Sequence, residues 1–421
     1  MTLVDHERPP AIDLGKDAGT TTLPSEGVFA RAHDGSFFEF DGSLNQVSFD
    51  AMLAWAGDRK ASDITIQTNE PVLAEIGGKN VPITRRAIRQ AEIDMVVRYV
   101  YGEHGPGMLK AAHDLDPSHE VRMRDGSGQR RYRVNITAIR VIGGDGVQIT
   151  IRTLPVTPIR LEKLGIEDDI VRNLRPNQGM VLVTGPTGSG KSTLLASIIR
   201  HIIEPEDANE KVLEYSSPIE YVYDGVDHPS SSIAQTEVGK HLIPYNIAGD
   251  ERSNESLYAH AVRNALRRKP TIILVGETRD RATMQASVEA ALTGHLLYST
   301  MHSVGVPATL RRVLQFFPGD LRESAGIDVM ETLRMCVTQL LFDRVGGGKV
   351  GLREYMVFDD RTRAVFMKRP TEEWPLLARQ LMEAKRVTSK RMVESGWEAY
   401  EAGLISRDTY RRITIADRDQ G

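Results

Sequence analysis

The sequence predicts an α/β protein in three parts: a smaller mixed domain, a core of strands alternating with helices, and a helical C-terminal extension. Three observations carry this. From about residue 161, short apolar runs alternate with longer segments of helical period, the pattern of a mainly parallel sheet. Residues 185–192 read Gly-Pro-Thr-Gly-Ser-Gly-Lys-Ser, a complete phosphate-binding loop, between a strand-like run and a helix-like one. Before Leu154 the pieces are shorter and punctuated by glycine clusters, as in an α+β domain.

Residues 1–40 are rich in Pro, Gly, Asp and Thr without periodicity and read as a disordered arm. Residues 41–153 form the first expected domain. In it Ile64-Thr65-Ile66 and Val72–Ile76 are strands, followed by a Gly77-Gly78 turn. Ala91–Tyr101 is a helix with Ile93, Val96, Val97 and Val100 on one face. Arg131–Arg140 and Val147–Arg152 pair antiparallel through Gly143–Gly146. Residues 154–160 are an expected hinge, because Pro155 and Pro158 exclude regular structure. In the core, 161–360, the expected strands are Met180–Thr184, Lys211–Glu214, Thr271–Val275 and Leu296–Thr300. The expected helices are Ser192–Glu204, Ser256–Arg268, Arg281–Leu292 and Leu321–Leu341. Residues 361–421 read as helical and charged, with Trp374 and Trp397 as packing anchors.

Composition narrows the function classes. The 421 residues carry a formal charge of −4, so no global basic character calls for nucleic acid or an anionic membrane. Cys336 is the single cysteine, which leaves no intrachain disulfide and no cysteine-based zinc site. No run approaches the roughly 18 apolar residues of a membrane span. The N-terminus lacks the basic start and apolar stretch of a secretory signal, so a cytoplasmic protein is expected.

The chemistry is expected at four places. Gly185, Pro186, Thr187, Gly188, Ser189, Gly190, Lys191, Ser192 and Thr193 would wrap a nucleotide's phosphates in backbone N–H groups. Lys191 would reach the β- and γ-phosphates and the Ser192 hydroxyl would ligate Mg²⁺. Thr271–Val275 runs into Gly276-Glu277, placing a carboxylate at a strand end where it could polarise water. Ser216-Ser217-Pro218-Ile219-Glu220 follows another strand, and Thr293–His302 holds His295 and His302 around a third. A histidine at the end of a parallel strand lies on the edge where α/β proteins bind ligands.

Gly-Pro-Thr-Gly-Ser-Gly-Lys-Ser-Thr, Ile-Leu-Val-Gly-Glu-Thr-Arg-Asp and Thr-Gly-His-Leu-Leu-Tyr-Ser-Thr-Met-His resemble the Walker A, Walker B and His boxes of the PilT/GspE-like secretion ATPases. The similarity runs from about Ser62 to Asp359 and is nearest to the DotB/TraJ-type ATPases of type IVB secretion and conjugation. It implies a RecA-like P-loop ATPase core, a PAS-like N-terminal domain, ATP and Mg²⁺ as cofactors, and a homohexameric ring. It further implies recruitment by secretion or transfer proteins to the cytoplasmic face of the inner membrane. By resemblance Glu277 is the Walker B acid, Glu220 the last acid of the Asp box, and His295 and His302 the His box. The chain departs from the family at Ser216 and Ser217, where Glu and Asp are usual, so Glu220 acts alone or Glu214 assists. Arg131, Arg133 and Arg152, with Arg140 as a further candidate, resemble arginines that close over phosphates. Arg263 and Arg267 are candidates for subunit contacts. The competing expectations are a pilus assembly or retraction ATPase of the PilT type and a nucleic-acid translocase. The latter lacks the basic groove and stacking aromatics that such proteins need.

Overall fold

The computed structural model describes residues 37–40, 42–123, 128–155, 157–239, 241–242 and 257–419. Most of the expected arm, Val156 of the hinge, and Ser256 at the start of an expected helix lie outside these residues. The described chain forms two units. One runs through Leu115 and resumes at Val134–Arg152; the other comprises Asp116–Arg133 and the chain from Thr153. The expected block 41–153 is therefore cut differently, with the excursion Asp116–Arg133 grouping with the core.

The first unit opens with α1 (Gln46–Asp58), whose start is fixed by a reciprocal cap: the Ser48 N–H donates to Asn45 Oδ1 and the Asn45 N–H to Ser48 Oγ. Along the chain follow β1 (Asp63–Gln67), β2 (Pro71–Ile76), β3 (Lys79–Ala87), α2 (Gln90–Tyr101), α3 (Gly105–Lys110), β4 (Ser118–Arg122), β5 (Gln129–Val141) and β6 (Gly144–Leu154), of which β4 and the start of β5, through Arg133, belong to the second unit. The strand order is β3-β2-β1-β6-β5-β4. In β1 alternate residues, Ile64 and Ile66, point into the core, the period of a half-buried strand. Burial pushes the Glu92 carboxyl up. Hydrogen bonds from Arg86 and from the Arg89 and Leu44 N–H groups outweigh it and hold the pKa at about 2.

The second unit carries a single-turn 3₁₀ helix (Leu161–Leu164) and α4 (Asp168–Arg172), then β7 (Gly179–Thr184), α5 (Lys191–Ile203), β8 (Lys211–Ser216) and β9 (Ser232–Glu237). Next come α6 (Leu257–Leu266), β10 (Ile272–Val275), α7 (Arg281–Leu292), β11 (Leu296–Met301), α8 (Val306–Gln315) and α9 (Arg322–Thr332). It ends with β12 (Leu333–Asp343), β13 (Lys349–Val357), α10 (Asp360–Phe366), α11 (Trp374–Glu383), β14 (Ser389–Lys390), α12 (Met392–Glu401) and α13 (Arg407–Asp419).

The sheet order is β14-β13-β12-β7-β11-β10-β8-β9. From β12 to β9 neighbours run parallel; β13 and β14 add antiparallel strands at one edge. Both faces of the sheet are covered. Met180 and Leu182 enter one apolar core and Val181 and Val183 the other, which is why β7 reads as an unbroken apolar run.

The expected helix Leu321–Leu341 is corrected. It ends at Thr332, and Leu333–Asp343 is strand β12, lying parallel to β7. The residues from Met335 to Gln339 are all buried, so the stretch has no polar face, and a short run of that kind fits a buried strand as well as a helix. Of the missed strands, β9 ends the parallel block at one edge and β13 pairs antiparallel with β12 at the other. Trp374 is buried, with its indole N–H donating to the Phe366 carbonyl. Trp397 is not a core anchor: it stays half-exposed beside Tyr400 and Tyr410. Cys336 is fully buried, which pushes its thiol up to about 12.

Candidate functional site

The register of the sheet decides which residues meet. Thr184 at the end of β7 lies opposite Met301 of β11 and Thr338 of β12. Val275 at the end of β10 lies opposite Ser299 and Tyr215. The residues just beyond these ends, from Gly185, Gly276, His302 and Ser217, therefore share one edge, the carboxyl edge of the parallel strands.

At that edge Gly185, Gly188 and Gly190 adopt φ of +144°, +76° and +81°. A side chain at Gly185 would collide with the Gln339 carbonyl, and one at Gly190 with the Gln339 amide, so both positions need glycine for close approach as well as for conformation. Helix α5 follows with no side chain capping its start and no acid in its first turn. Its free N–H groups and positive dipole end face the loop, an arrangement that binds phosphate. Lys191 Nζ donates to the Gly185 and Pro186 carbonyls, each at 2.9 Å. Burial lowers the Lys191 pKa, while the negative charges of Glu277 and Glu220 oppose the drop. Those two carboxylates thus act on the lysine that would meet the phosphates.

Glu277 is held at the end of β10 by its flanks. The Thr300 hydroxyl donates to the Gly276 carbonyl and the Thr278 N–H to the Thr300 carbonyl, while Thr278 and Ser299 join hydroxyls at 2.8 Å. Gly276 passes so close to Ser216 that a Cβ would stand 3.1 Å from its Cα. The Glu277 carboxylate lies 3.4 Å from His302 Nε2, with the imidazole half-exposed. The cradle thus has beside it a lysine and a carboxylate, groups that phosphoryl transfer to water uses, with an imidazole next to the carboxylate.

The family model described as Type II/IV secretion system protein matches residues 41–346. The chain belongs to that family. It is 29% identical over 306 residues to the type IV pilus retraction ATPase PilT of Pseudomonas aeruginosa, covering 73% of this chain and 81% of that one. The structure of the Legionella pneumophila ATPase DotB superposes with a TM-score of 0.81 at 40% identity, covering 90% of this chain and 99% of that one. The pilus retraction motor PilT with bound ADP gives 0.72 at 27% identity, covering 86% and 96%. The protein is a P-loop ATPase of the PilT/GspE-like secretion ATPases, with the α/β ATPase fold of PilT and DotB.

Within this secretion ATPase the remaining expected site residues fall in different places. Glu220 lies on the segment after β8, whose Ile219 and Glu220 carbonyls accept from the buried Arg131 guanidinium at 2.9 and 3.3 Å. Arg131 Nε also donates to Glu120. Arg131 thus holds the Glu220 segment by its backbone. Glu214 does not share the work of Glu220. It is buried, which raises its pKa, and its two oxygens accept from Ser216 Oγ and Gln235 Nε2 at 2.8 Å each. Thr193 shares a hydroxyl hydrogen bond with Tyr221 at 2.7 Å, tying the loop to the same segment.

His295 is a correction. It precedes β11 and its carbonyl accepts from the N–H of Gly179, at the start of β7, so it stands at the amino edge of the sheet. The six residues of β11, about 20 Å at roughly 3.3 Å each, separate it from His302. Arg133 and Arg140 are exposed on β5; Arg152 pairs with Asp63, its cross-strand neighbour in the first unit. Arg263 and Arg267 are exposed at the end of α6. Ser192 is half-buried in the first turn of α5.

Sequence reasoning missed two residues at the loop. Gln339 of β12 donates from Nε2 to the Ser189 and Gly190 carbonyls, at 2.9 and 3.0 Å, and Arg353 of β13 donates to Gln339 Oε1 at 3.0 Å. Polar side chains inside two buried strands were the available signal.

Proposed function

We propose that this ATPase is the Mg²⁺-dependent motor of a type IV secretion or conjugative transfer machine, working as a homohexameric ring at the cytoplasmic face of the inner membrane. The observation that carries the reading is the 40% identity to DotB across nine-tenths of the chain, against 27% to the PilT structure. It joins the resemblance of the boxes to the DotB/TraJ type. ATP would sit in the loop 185–193, where Lys191 and the α5 N–H groups offset charge on the γ-phosphoryl group. Glu277 would orient and activate the attacking water, and His302 would hold that carboxylate or sense the γ-phosphate.

The donor set fits Mg²⁺. No group of three His, Cys, Asp or Glu side chains that could hold a metal occurs among the described residues. That suits an ion bound through phosphates and water with one hydroxyl, here Ser192, and with Glu277 acting on its water shell. When bound, the ion would neutralise charge on the β- and γ-phosphates. Arg133, exposed on β5, would meet another subunit. A head-to-tail ring brings one subunit's side chain to the next one's pocket, and movement about residues 154–160 would carry the work. No described helix is long and apolar enough to cross a membrane, so attachment would be through partner proteins.

Co-expression tests ring and role together. Lys191→Ala made alongside the wild-type chain in the native cell should poison plasmid transfer or effector export, because each ring would contain dead subunits. Unimpaired export at equal expression, with a one-chain mass in the presence of nucleotide and full activity, would contradict the ring. Loss of twitching with normal export on gene deletion would move the protein to the pilus-retraction reading.

A further inference from the structure

Gln339 and Arg353 stand outside the boxes that define the reaction, yet they touch the loop's backbone. The amide of Gln339 is oriented by its neighbours. An arginine can only donate, so the atom 3.0 Å from Arg353 Nε must be the amide oxygen. The NH₂ group then faces the carbonyls of Ser189 and Gly190, which can only accept. Arg353 is held in turn: its two terminal nitrogens donate to the Gly165 and Leu164 carbonyls at 3.0 Å, and Glu167 lies 3.3 Å away. It is buried, as is Gln339.

The two carbonyls that Gln339 gathers belong to the peptide units whose N–H groups are those of Gly190 and Lys191. In a trans peptide the C=O and N–H point in opposite directions. Drawing both oxygens back toward β12 therefore turns both N–H groups outward, to where a phosphate is bound. The Gly190 carbonyl also accepts from the Leu194 N–H at 2.9 Å, so on that peptide Gln339 acts together with the first turn of α5, while the Ser189 carbonyl takes its side-chain hydrogen bond from Gln339. We propose that Gln339 is a positioning residue for the phosphate-binding loop, with Arg353 fixing its amide, so that nucleotide affinity is set in part from the turn Leu164–Glu167. This rests on the ATP-binding loop alone and not on the machine that the protein serves.

The test is equilibrium binding of a fluorescent ADP analogue to the full chain, with kcat, KM for ATP and the thermal midpoint measured beside it. Gln339→Met keeps the length and loses the donor. It should weaken ADP binding and raise KM by about tenfold, the equivalent of one lost hydrogen bond, with kcat at saturating ATP within about threefold. Gln339→Glu should be worse than Met, because a carboxylate oxygen would face two carbonyls. A residue that only supports the fold would lower the thermal midpoint and leave the affinity of the folded protein unchanged. Arg353→Lys keeps a charge beside Glu167 but withdraws the fork, and should weaken ADP binding by about threefold. Adding it to Gln339→Met should cost nothing further in affinity, because the two act in series. ADP affinity within twofold of wild type in folded Gln339→Met overturns the proposal, as does full additivity in the double variant. If Gln339→Met does not fold, unchanged affinity in Arg353→Lys overturns it equally.

Discussion

Strand β11 carries a histidine at each end, and only one of them meets the reactive edge. His302 follows the strand's carboxyl end and lies 3.4 Å from Glu277. His295 precedes the amino end, where its ring nitrogen sits 3.2 Å from the Ala290 carbonyl at the close of α7. The two belong to one box by sequence and to opposite edges by structure. A parallel sheet is polar: loops on its carboxyl edge converge on a ligand, and loops on its amino edge close the helices back onto the strands. Sequence distance within a box therefore says little about distance to the chemistry when a strand runs between its two ends.

The largest effect that would break the comparison belongs to the carboxyl edge. Lys191→Ala should abolish ATP hydrolysis and leave the circular dichroism spectrum unchanged, since the ammonium contacts only loop carbonyls. Substantial turnover in this variant would remove the edge from the reaction. His302→Ala should lower kcat by about tenfold to a hundredfold, at or below the usual contribution of an acid–base group, with ADP affinity nearly unchanged. Steady-state kinetics at saturating ATP would decide it.

Arg131→Ala should act more mildly, by loosening the Glu220 segment. It leaves the Ile219 and Glu220 carbonyls without their donor, a cost of about 1–3 kcal/mol per buried group. A thermal midpoint several degrees lower with a few-fold loss of kcat is expected. A loss as large as that of Lys191→Ala would return Arg131 to direct phosphate contact. His295→Ala should be the smallest, within about twofold of wild type in kcat and KM. An effect matching His302→Ala would erase the distinction between the two edges.

What was legible in the sequence was local. Gly185 to Ser192 are consecutive, so their spacing alone states the loop, and Glu277 followed from an apolar run ending in Gly-Glu. His302 and His295 look alike in sequence, because both adjoin the same apolar run and only the direction of the strand tells the two ends apart. The role of Arg131 was hidden because its partners, the Ile219 and Glu220 carbonyls, are backbone groups almost 90 residues away. Gln339 lies 150 residues from Ser189, and the misread helix Leu321–Leu341 concealed that it stands on a strand beside β7. Across the buried stretch Met335–Gln339 the periodicity that separates sheet from helix is lost. The buried Glu214 shows the converse: an acid two residues before the box accepts hydrogen bonds from Ser216 and Gln235 inside the core.

The most direct test of the account is single-turnover hydrolysis by Glu277→Gln with ATP prebound. The amide keeps the shape and loses both charge and basicity, so ATP should bind with near wild-type affinity while the chemical step slows by about 10²–10⁴-fold. Hydrolysis at the wild-type rate, or loss of ATP binding in place of slow turnover, would contradict the assignment of Glu277 as the group that readies water at this edge.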